Sequence, residues 1–136
     1  MSATVIVYWA TTLLLSLLYA VSAVTYVAKG TWVRETLGGL GYPVYLVRFL
    51  IGVKVAAVIA ILARFSPALS DVAYAGMLFH LILSGMAHLG ARKPEGATPA
   101  LVGLVLLAAS FSTQNAARTV PSPYAPKLFH HQFQGE

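Results

Sequence analysis

The fold is decided by residues 2–28, which read SATVIVYWATTLLLSLLYAVSAVTYVA and contain no charged side chain. A helix needs roughly 20 residues to cross the hydrocarbon core of a bilayer, which is about 30 Å thick. This stretch is long enough and apolar enough to do so. We therefore predict a first transmembrane helix over Ala3–Ala28 that remains in the protein as a membrane anchor, not a signal peptide.

Three further apolar runs of similar length follow, separated by short connections. The predicted spans are Gly41–Ala63, Asp71–Gly90 and Pro99–Ala117. Short connections favour antiparallel neighbours, so the sequence predicts an all-α fold, an integral membrane four-helix antiparallel bundle over residues 1–118. Both ends of this bundle then lie on one face, the terminal side, and the connections after the first and third spans lie on the opposite face, the loop side.

Each predicted break has a local cause. Lys29 and the following glycine end the first helix, and a glycine-rich stretch with Pro43 precedes the second. Asp71 is the predicted N-cap of the third helix. Thr98 and Pro99 fit the N-cap and first-turn proline preferences of the fourth.

Composition agrees with a membrane protein, because 58% of the residues are hydrophobic and only 10% are charged. A soluble domain has about a quarter charged residues. The chain contains no cysteine, which excludes disulfides, cysteine-ligated metals and iron–sulfur clusters. The net charge of +5 comes from Lys and Arg residues scattered over both faces of the bundle, with no basic run. This pattern favours contact with anionic membrane lipids and predicts no nucleic-acid partner. Because neither face has a clear excess, the orientation of the protein in the membrane stays open.

Residues 119–136 form a proline-containing tail, for which two interpretations stay open. The amphipathic stretch Leu128–Phe133 would let the tail lie along the membrane interface, and the three prolines before it are equally consistent with disorder. The adjacent pair His130 and His131 is weak as a metal motif, and no metal site is predicted.

Charged and polar residues at membrane depth are the strongest indication of a functional site. At a rise of about 1.5 Å per residue, Lys54 and His80 both lie roughly 13 Å from the terminal side. Thr12 and Ser110 fall at about the same depth on the first and last helices. The sequence therefore predicts that all four helices contribute a polar group to one layer near the midplane.

Further polar residues lie between this layer and the terminal side. Gln114 and Asn115 follow on the last helix, and Tyr74 lies near the start of the third. Together they predict a polar cleft that opens to the terminal side. Tyr74 fits an interfacial aromatic belt equally well.

Structural alternatives remain for each of these residues. Lys54 could extend its flexible stem toward the lipid headgroups, and Arg48 could reach the phosphates of the loop side in the same way. His80 could simply bond Ser84 one turn further on. His88 lies nearer the surface, and the two histidines project about 80° apart on one helix, so they cannot clamp a haem between them.

No carboxylate lies inside a predicted span, so Lys54 lacks an obvious counter-ion. Either the lysine is neutral, or a ligand brings a carboxylate, phosphate or polarised carbonyl to it. A neutral Lys54 beside His80 could act as a general acid or base, so these two are the predicted catalytic residues. The predicted binding residues are Tyr74, Thr12, Ser110, Gln114, Asn115, Arg48 and His88.

Small-residue stripes suggest close helix packing. Gly52, Ala56 and Ala60 form one stripe, and Gly76 with His80 belongs to another. Such stripes could dock helices of this bundle or of another membrane protein.

Three segments resemble the DoxX-like family of small membrane proteins. They are Tyr8-Trp9-x-x-Thr12, Gly41-Tyr42-Pro43-x-Tyr45 with Gly52-x-Lys54, and Asp71-x-Ala73-Tyr74-Ala75-Gly76 with His88. The resemblance covers about 90 residues and implies a four-helix membrane bundle. Members of the wider group look like quinone-linked oxidoreductase subunits, partners of redox enzymes, or chaperones of other membrane proteins.

Two functional hypotheses follow. In the first, a lipophilic compound such as a quinone or terpenoid binds at Lys54 and His80, with quinone-linked redox or cofactor-free isomerase or cyclase chemistry. No intrinsic cofactor is predicted, and a quinone is possible. In the second, the protein is a non-enzymatic chaperone, assembly factor or partner, as a homo-oligomer or with another membrane protein. Both place it as a multi-pass protein of the cell membrane.

Overall fold

The computed structural model describes residues 2–126. This part of the chain is helical and its helices are α1 Ala3–Ala28, α2 Gly30–Gly39, α3 Leu46–Ala63, α4 Pro67–Gly90 and α5 Thr98–Thr113. Short 3-10 helices precede and follow α5, at Pro94–Ala97 and Gln114–Ala117. The predicted stretch Leu128–Phe133, with His130 and His131, lies outside the described residues.

Four helical segments of the described chain are long and apolar enough to cross a membrane: α1, α3, α4, and α5 together with its two 3-10 helices. Large apolar side chains cover their outer faces, as Val24, Phe49 and Phe79 illustrate with exposures of 65%, 63% and 65%. Such exposure is stable in lipid and not in water. The predicted all-α membrane bundle is therefore confirmed.

The four spans pack as a ring in which α1 contacts α3 and α5, and α4 contacts the same two helices. Residues of α1 therefore meet residues of α4 only across the centre of the bundle. Buried Leu15, Ile61, Met77 and Leu107, one from each span, fill that centre. This diagonal arrangement brings distant polar side chains together.

The first span begins and ends at the predicted residues, whereas the second begins five residues later than predicted, at Leu46. Residues 40–45 form a turn instead, with Gly41 at a φ of 88°, a conformation that favours glycine. The sequence prediction missed α2 entirely. Its apolar contribution is only Val33 and Leu37, which pack against Val47 and are too few for a hydropathy signal.

The predicted N-cap at Asp71 is wrong. Helix α4 begins one turn earlier, at Pro67, where the side chain of Ser66 accepts a hydrogen bond from the backbone of Leu69 at 3.1 Å. This arrangement matches the preference for serine at the N-cap and proline in the first turn. Thr98 is also not an N-cap, because the preceding 3-10 helix runs directly into α5.

Arg64 links the terminal ends of three spans. It ends α3 in the left-handed conformation, with a φ of 56°. Its guanidinium donates to the carbonyl of Ala117 at 2.6 Å and lies over the rings of Tyr8 and Trp9. The half-buried cation therefore joins the ends of α1, α3 and the last span.

Candidate functional site

Three polar side chains meet near the midplane across the centre of the bundle, and we call them the midplane triad: Tyr19, Lys54 and His80. Lys54 Nζ lies 3.5 Å from His80 Nε2, and the hydroxyl of Tyr19 lies 2.9 Å from His80 Nδ1. The structure thus brings together the two residues that sequence counting placed in one layer. It adds Tyr19 from α1 to them.

Two proton arrangements satisfy these contacts. In the first, an ammonium at Lys54 donates to His80 Nε2, and the Nδ1 proton of His80 is donated to Tyr19. In the second, Tyr19 donates to Nδ1 and the Nε2 proton points to a neutral amine. The first arrangement carries one proton more than the second, and both fit the same heavy-atom positions, so the triad can take up or release a proton without moving heavy atoms.

Lys54 is only 4% exposed, and no ion pair with it exists among residues 2–126. Its Nζ lies 5.1 Å from the ring centre of Tyr19 and 4.9 Å from that of Tyr26. Such cation–π contacts stabilise an ammonium by about 1–2 kcal/mol when water is absent. The snorkelling alternative does not describe this position, because the amine points into the bundle.

Two cavities adjoin the triad, and all three triad residues form part of both walls. The larger, about 280 Å³, lies between α3 and α4, and we call it the apolar groove. Its other lining residues are Leu50, Val53, Ala56, Ala57, Ala60, Leu69, Val72, Ala73, Gly76 and Met77. Because this lining is apolar and faces the membrane side of two helices, the groove suits a lipophilic molecule.

The smaller cavity, about 120 Å³, lies on the other side of the triad between α1, α4 and the start of α5. We call it the polar chamber, because Ser22, Tyr26 and Ser84 add hydroxyls to the triad along its wall. The rest of its lining is apolar: Leu18, Leu81, Pro99 and Ala100. The triad therefore borders one almost purely apolar cavity and one with a mixed lining.

A second cluster of predicted residues lies closer to the terminal side, and we call it the hydroxyl cluster. The hydroxyl of Ser110 lies 2.6 Å from that of Thr12 and 2.6 Å from that of Tyr74. None of these three residues lines the groove or the chamber. The layer predicted from counting is therefore divided into two clusters, with Leu15 and Met77 packed in the core nearby.

The terminal network consists of Asp71, Gln114, Asn115, Arg118 and Ser122. Asp71 accepts from Gln114 Nε2 at 3.1 Å and from the Ser122 hydroxyl at 2.6 Å, and Gln114 Oε1 accepts from Arg118 at 2.9 Å. Asn115 accepts from the backbone of Ser122 and donates to carbonyls of residues 122, 125 and 126.

These contacts overturn the predicted cleft toward the terminal side. Gln114 and Asn115 are at most 1% exposed, and the chain after Arg118 folds back over them, with Ser122 fully buried. Their amides bind protein atoms and do not line an aqueous route. The described part of the tail is therefore a closing segment of the bundle.

Arg48 and His88 lie apart from the triad. Arg48 is exposed on the lipid-facing surface of α3 near the loop side, as the snorkelling alternative expects. His88 packs against Gly96, where an added side chain would collide with the imidazole ring. The structure does not bring either residue to the cavities, because each lies about two turns of helix from the triad residue on its own helix.

The small-residue stripes are also placed differently from the prediction. Gly52 and Gly76 are exposed, and a β-carbon at either would meet no atom within 4 Å. Gly76 lines the apolar groove, and Gly52 lines neither cavity. Among these residues only Ala60 is buried, so the stripes do not serve close packing within one chain.

Comparison with protein families identifies the chain. The model of the DoxX-like family matches residues 10–110. The chain belongs to the DoxX-like family. No curated protein and no solved structure matches it.

The matched region of this DoxX-like protein includes the whole midplane triad and the hydroxyl cluster. The closing contacts of Gln114, Asn115 and Ser122 lie beyond it. The family assignment agrees with an integral membrane protein and does not name a ligand or reaction.

Sequence reasoning missed Tyr19 and the partners of Asp71. A signal for Tyr19 was present, since Thr12, Tyr19 and Tyr26 recur every seven residues and so share one face of α1. Asp71 gave no such signal, because its partners Gln114 and Ser122 are 43 and 51 residues away.

Proposed function

We propose that this DoxX-like membrane protein binds a lipophilic small molecule with a carbonyl or acid group at the midplane triad, and that the triad transfers a proton to or from it. One observation carries the proposal: Tyr19, Lys54 and His80 form the shared wall of an apolar groove and a polar chamber. A polar group held there would touch proton donors while its apolar part stays in the groove.

The apolar groove supports access from the bilayer. It lies between α3 and α4, and its small side chains leave about 280 Å³ of space, close to the lower limit of typical ligand sites of about 300 Å³. A compound dissolved in the membrane would exchange its lipid contacts for groove contacts. Closure of the terminal side by the tail favours this route over one from water.

The triad supports acid–base chemistry. A carbonyl oxygen at Lys54 would be polarised by the ammonium, and the neutral amine or imidazole would accept a proton from an adjacent carbon or hydroxyl. Two reaction classes use such a site. A quinone would make the protein a subunit of a redox complex, and a terpenoid would make it a cofactor-free isomerase or cyclase.

The first experiment is mass spectrometry of small molecules that copurify with the detergent-extracted protein. Wild type is compared with Lys54→Met and, as a matched control, with Arg48→Met, which removes an exposed cation from the same helix. We expect a compound in wild type and Arg48→Met that is missing from Lys54→Met. A compound equally abundant in all three, or none above background in wild type, would contradict the proposal.

A second candidate function is docking of another transmembrane helix, either from a second copy or from a different membrane protein. The observation that favours it is the open space around exposed Gly52 on α3. Glycine on a lipid-facing surface permits close helix approach. In this case the protein would be a partner or assembly factor without chemistry of its own.

Two glycine variants separate these functions. Gly76→Leu fills the apolar groove, so the ligand proposal expects loss of the copurifying compound. Gly52→Leu lies outside both cavities, so the docking proposal expects it to reduce the size of the particle measured in nanodiscs. A loss of ligand in Gly52→Leu but not in Gly76→Leu would argue against the groove.

The cell membrane is the proposed location of the protein, and membrane fractionation tests this proposal.

A further inference from the structure

The Lys and Arg side chains of the loop side are free, whereas those of the terminal side, within residues 2–126, are held by other parts of the protein. The exposed cations at the loop-side ends of the helices, which we call the loop-side cations, are Lys29, Arg34, Arg48, Arg92 and Lys93. We infer that they form a binding surface for the headgroups of anionic phospholipids, and that the loop side therefore lies at the cytoplasmic leaflet. This surface is separate from the midplane triad and its cavities.

The terminal side provides the contrast. Among residues 2–126 its cations are Arg64 and Arg118. Arg64 donates to the carbonyl of Ala117 and lies over two aromatic rings. Arg118 is only 8% exposed and donates to the side chain of Gln114. Both cations are therefore used within the bundle, although a count of charges along the sequence gives them the same weight as the loop-side cations.

The loop-side cations have no such partners. None of the five makes an ion pair, a side-chain hydrogen bond or an aromatic contact with another of residues 2–126. The acids of the same face within these residues are Glu35 and Glu95, which are exposed as well. Five cations against two acids leave an excess of three positive charges on this face. Lys and Arg without a protein partner are available to phosphate groups, which both side chains bind well.

Helix α2 spreads these charges along the membrane surface. Val33 and Leu37 pack on the bundle, while Trp32 is 58% exposed. A short helix with one apolar face, exposed cations and an interfacial tryptophan is typical of a segment that lies in the headgroup layer. Lys93 Nζ comes within 3.4 Å of the position of a β-carbon at Gly39, the last residue of α2. The two loop-side connections therefore form one continuous surface.

The distribution of the loop-side cations favours a lipid surface over a small soluble anion. They lie at the ends of α1, α3 and α4 and along α2, so a single anion would reach only those that are neighbours. A leaflet of anionic lipids offers a phosphate to each of them at the same level. Such lipids are concentrated in the cytoplasmic leaflet, and Lys and Arg near the ends of spans favour the cytoplasmic side. Both ends of the bundle then face the opposite compartment.

The first test counts bound lipids. Full-length protein is released from nanodiscs that contain equal amounts of phosphatidylglycerol and phosphatidylcholine, and the bound lipids of each kind are counted by native mass spectrometry. We expect phosphatidylglycerol to exceed phosphatidylcholine on wild type. One cation near an anionic surface changes this ratio by up to about fivefold, so a variant that combines Lys29→Gln, Arg34→Gln and Lys93→Gln should lose most of the excess.

Glu95→Gln is the matched control, because it removes a charge of the opposite sign from the same face. It should raise the ratio of phosphatidylglycerol to phosphatidylcholine. Equal numbers of the two lipids on wild type, or an excess that the triple variant retains, would overturn the lipid-binding surface. The wild-type count decides this even if a variant fails to fold.

The orientation is tested separately, and the absence of cysteine from the chain makes the test direct. Tyr124→Cys places a thiol on the terminal side, where Tyr124 is 78% exposed. Gly38→Cys places one on the loop side, where a β-carbon would meet no atom within 4 Å. A membrane-impermeant maleimide is added to intact cells and to inverted membrane vesicles.

We expect the maleimide to label Tyr124→Cys in intact cells and Gly38→Cys only in inverted vesicles. The reverse pattern would place the loop side away from the cytoplasm and would overturn the inferred orientation. Labelling of both variants in both preparations would show two orientations in the membrane and would overturn it as well.

Discussion

The terminal network and the midplane triad are both buried and polar, but their hydrogen bonds are satisfied differently. In the terminal network, both oxygens of Asp71 and both ends of the Gln114 amide bind other protein atoms. In the triad, Lys54 has one long hydrogen-bond contact, at 3.5 Å, besides its two aromatic contacts, and it borders two cavities. The first arrangement holds protein segments together, and the second leaves bonding capacity for something else.

This difference shows how to interpret polar residues in a membrane bundle. Depth alone places both regions among the candidates, because lipid tolerates neither. A residue whose donors and acceptors are used within the chain stabilises the fold, and one that faces unfilled space is available to a ligand. Mutations in the two regions should therefore affect different measurements.

The largest expected effect on stability comes from Asn115→Ala. The change removes the acceptor for the backbone N–H of Ser122 and an NH2 group whose two hydrogens are shared among three carbonyls, so buried backbone groups are left unpaired. We expect the free energy of unfolding to fall by roughly 2–4 kcal/mol, measured by thermal unfolding in detergent. Exposed Ser112→Ala is the control, and an unchanged Asn115→Ala melting curve would show that the tail does not hold the bundle closed.

Lys54→Met should act in the opposite direction. Methionine has a similar length and needs no solvation, so we expect the free energy of unfolding to rise by about 1–2 kcal/mol while ligand binding is lost. Thermal unfolding without added ligand measures the first effect, and copurification measures the second. A strongly destabilised variant would assign Lys54 to the fold and not to a site.

The same chemical change can be made in the triad and in the hydroxyl cluster. Tyr74→Phe removes a 2.6 Å hydrogen bond to buried Ser110, so it should lower the free energy of unfolding by about 1 kcal/mol and leave ligand occupancy unchanged. Tyr19→Phe should change occupancy with a smaller effect on unfolding. If the two variants changed the free energy of unfolding and the ligand occupancy by the same amounts, the triad and the hydroxyl cluster would not differ in role.

The smallest effect is expected for Arg48→Met. This arginine is exposed and makes no contact with the cavities, so the free energy of unfolding should stay within about 0.5 kcal/mol of wild type. We expect Arg48→Met to retain the copurifying ligand that Lys54→Met loses, measured in the same preparation. Loss of ligand here would extend the site toward the loop side.

The four spans could be predicted from hydropathy because each is a long apolar segment, and the shared depth of Lys54 and His80 followed from the regular rise of the helix. Local patterns could not reveal α2, which is short and flanked by glycines. They also could not reveal the closing of the terminal side, since the bond between Asp71 and Ser122 joins residues 51 positions apart. Contacts of that kind depend on how the helices are arranged around the ring.

The hydrogen bond between Thr12 and Ser110 joins residues 98 positions apart, from the first span to the last. Helices leave the ribosome in chain order, so α1 enters the membrane long before its partner has been synthesised. Until α5 arrives, the hydroxyls of Thr12 and Tyr74 both lack their shared hydrogen-bond partner, Ser110. Assembly of the bundle is therefore completed by its final helix, and a nascent chain stalled after α4 would still lack one wall of the ring.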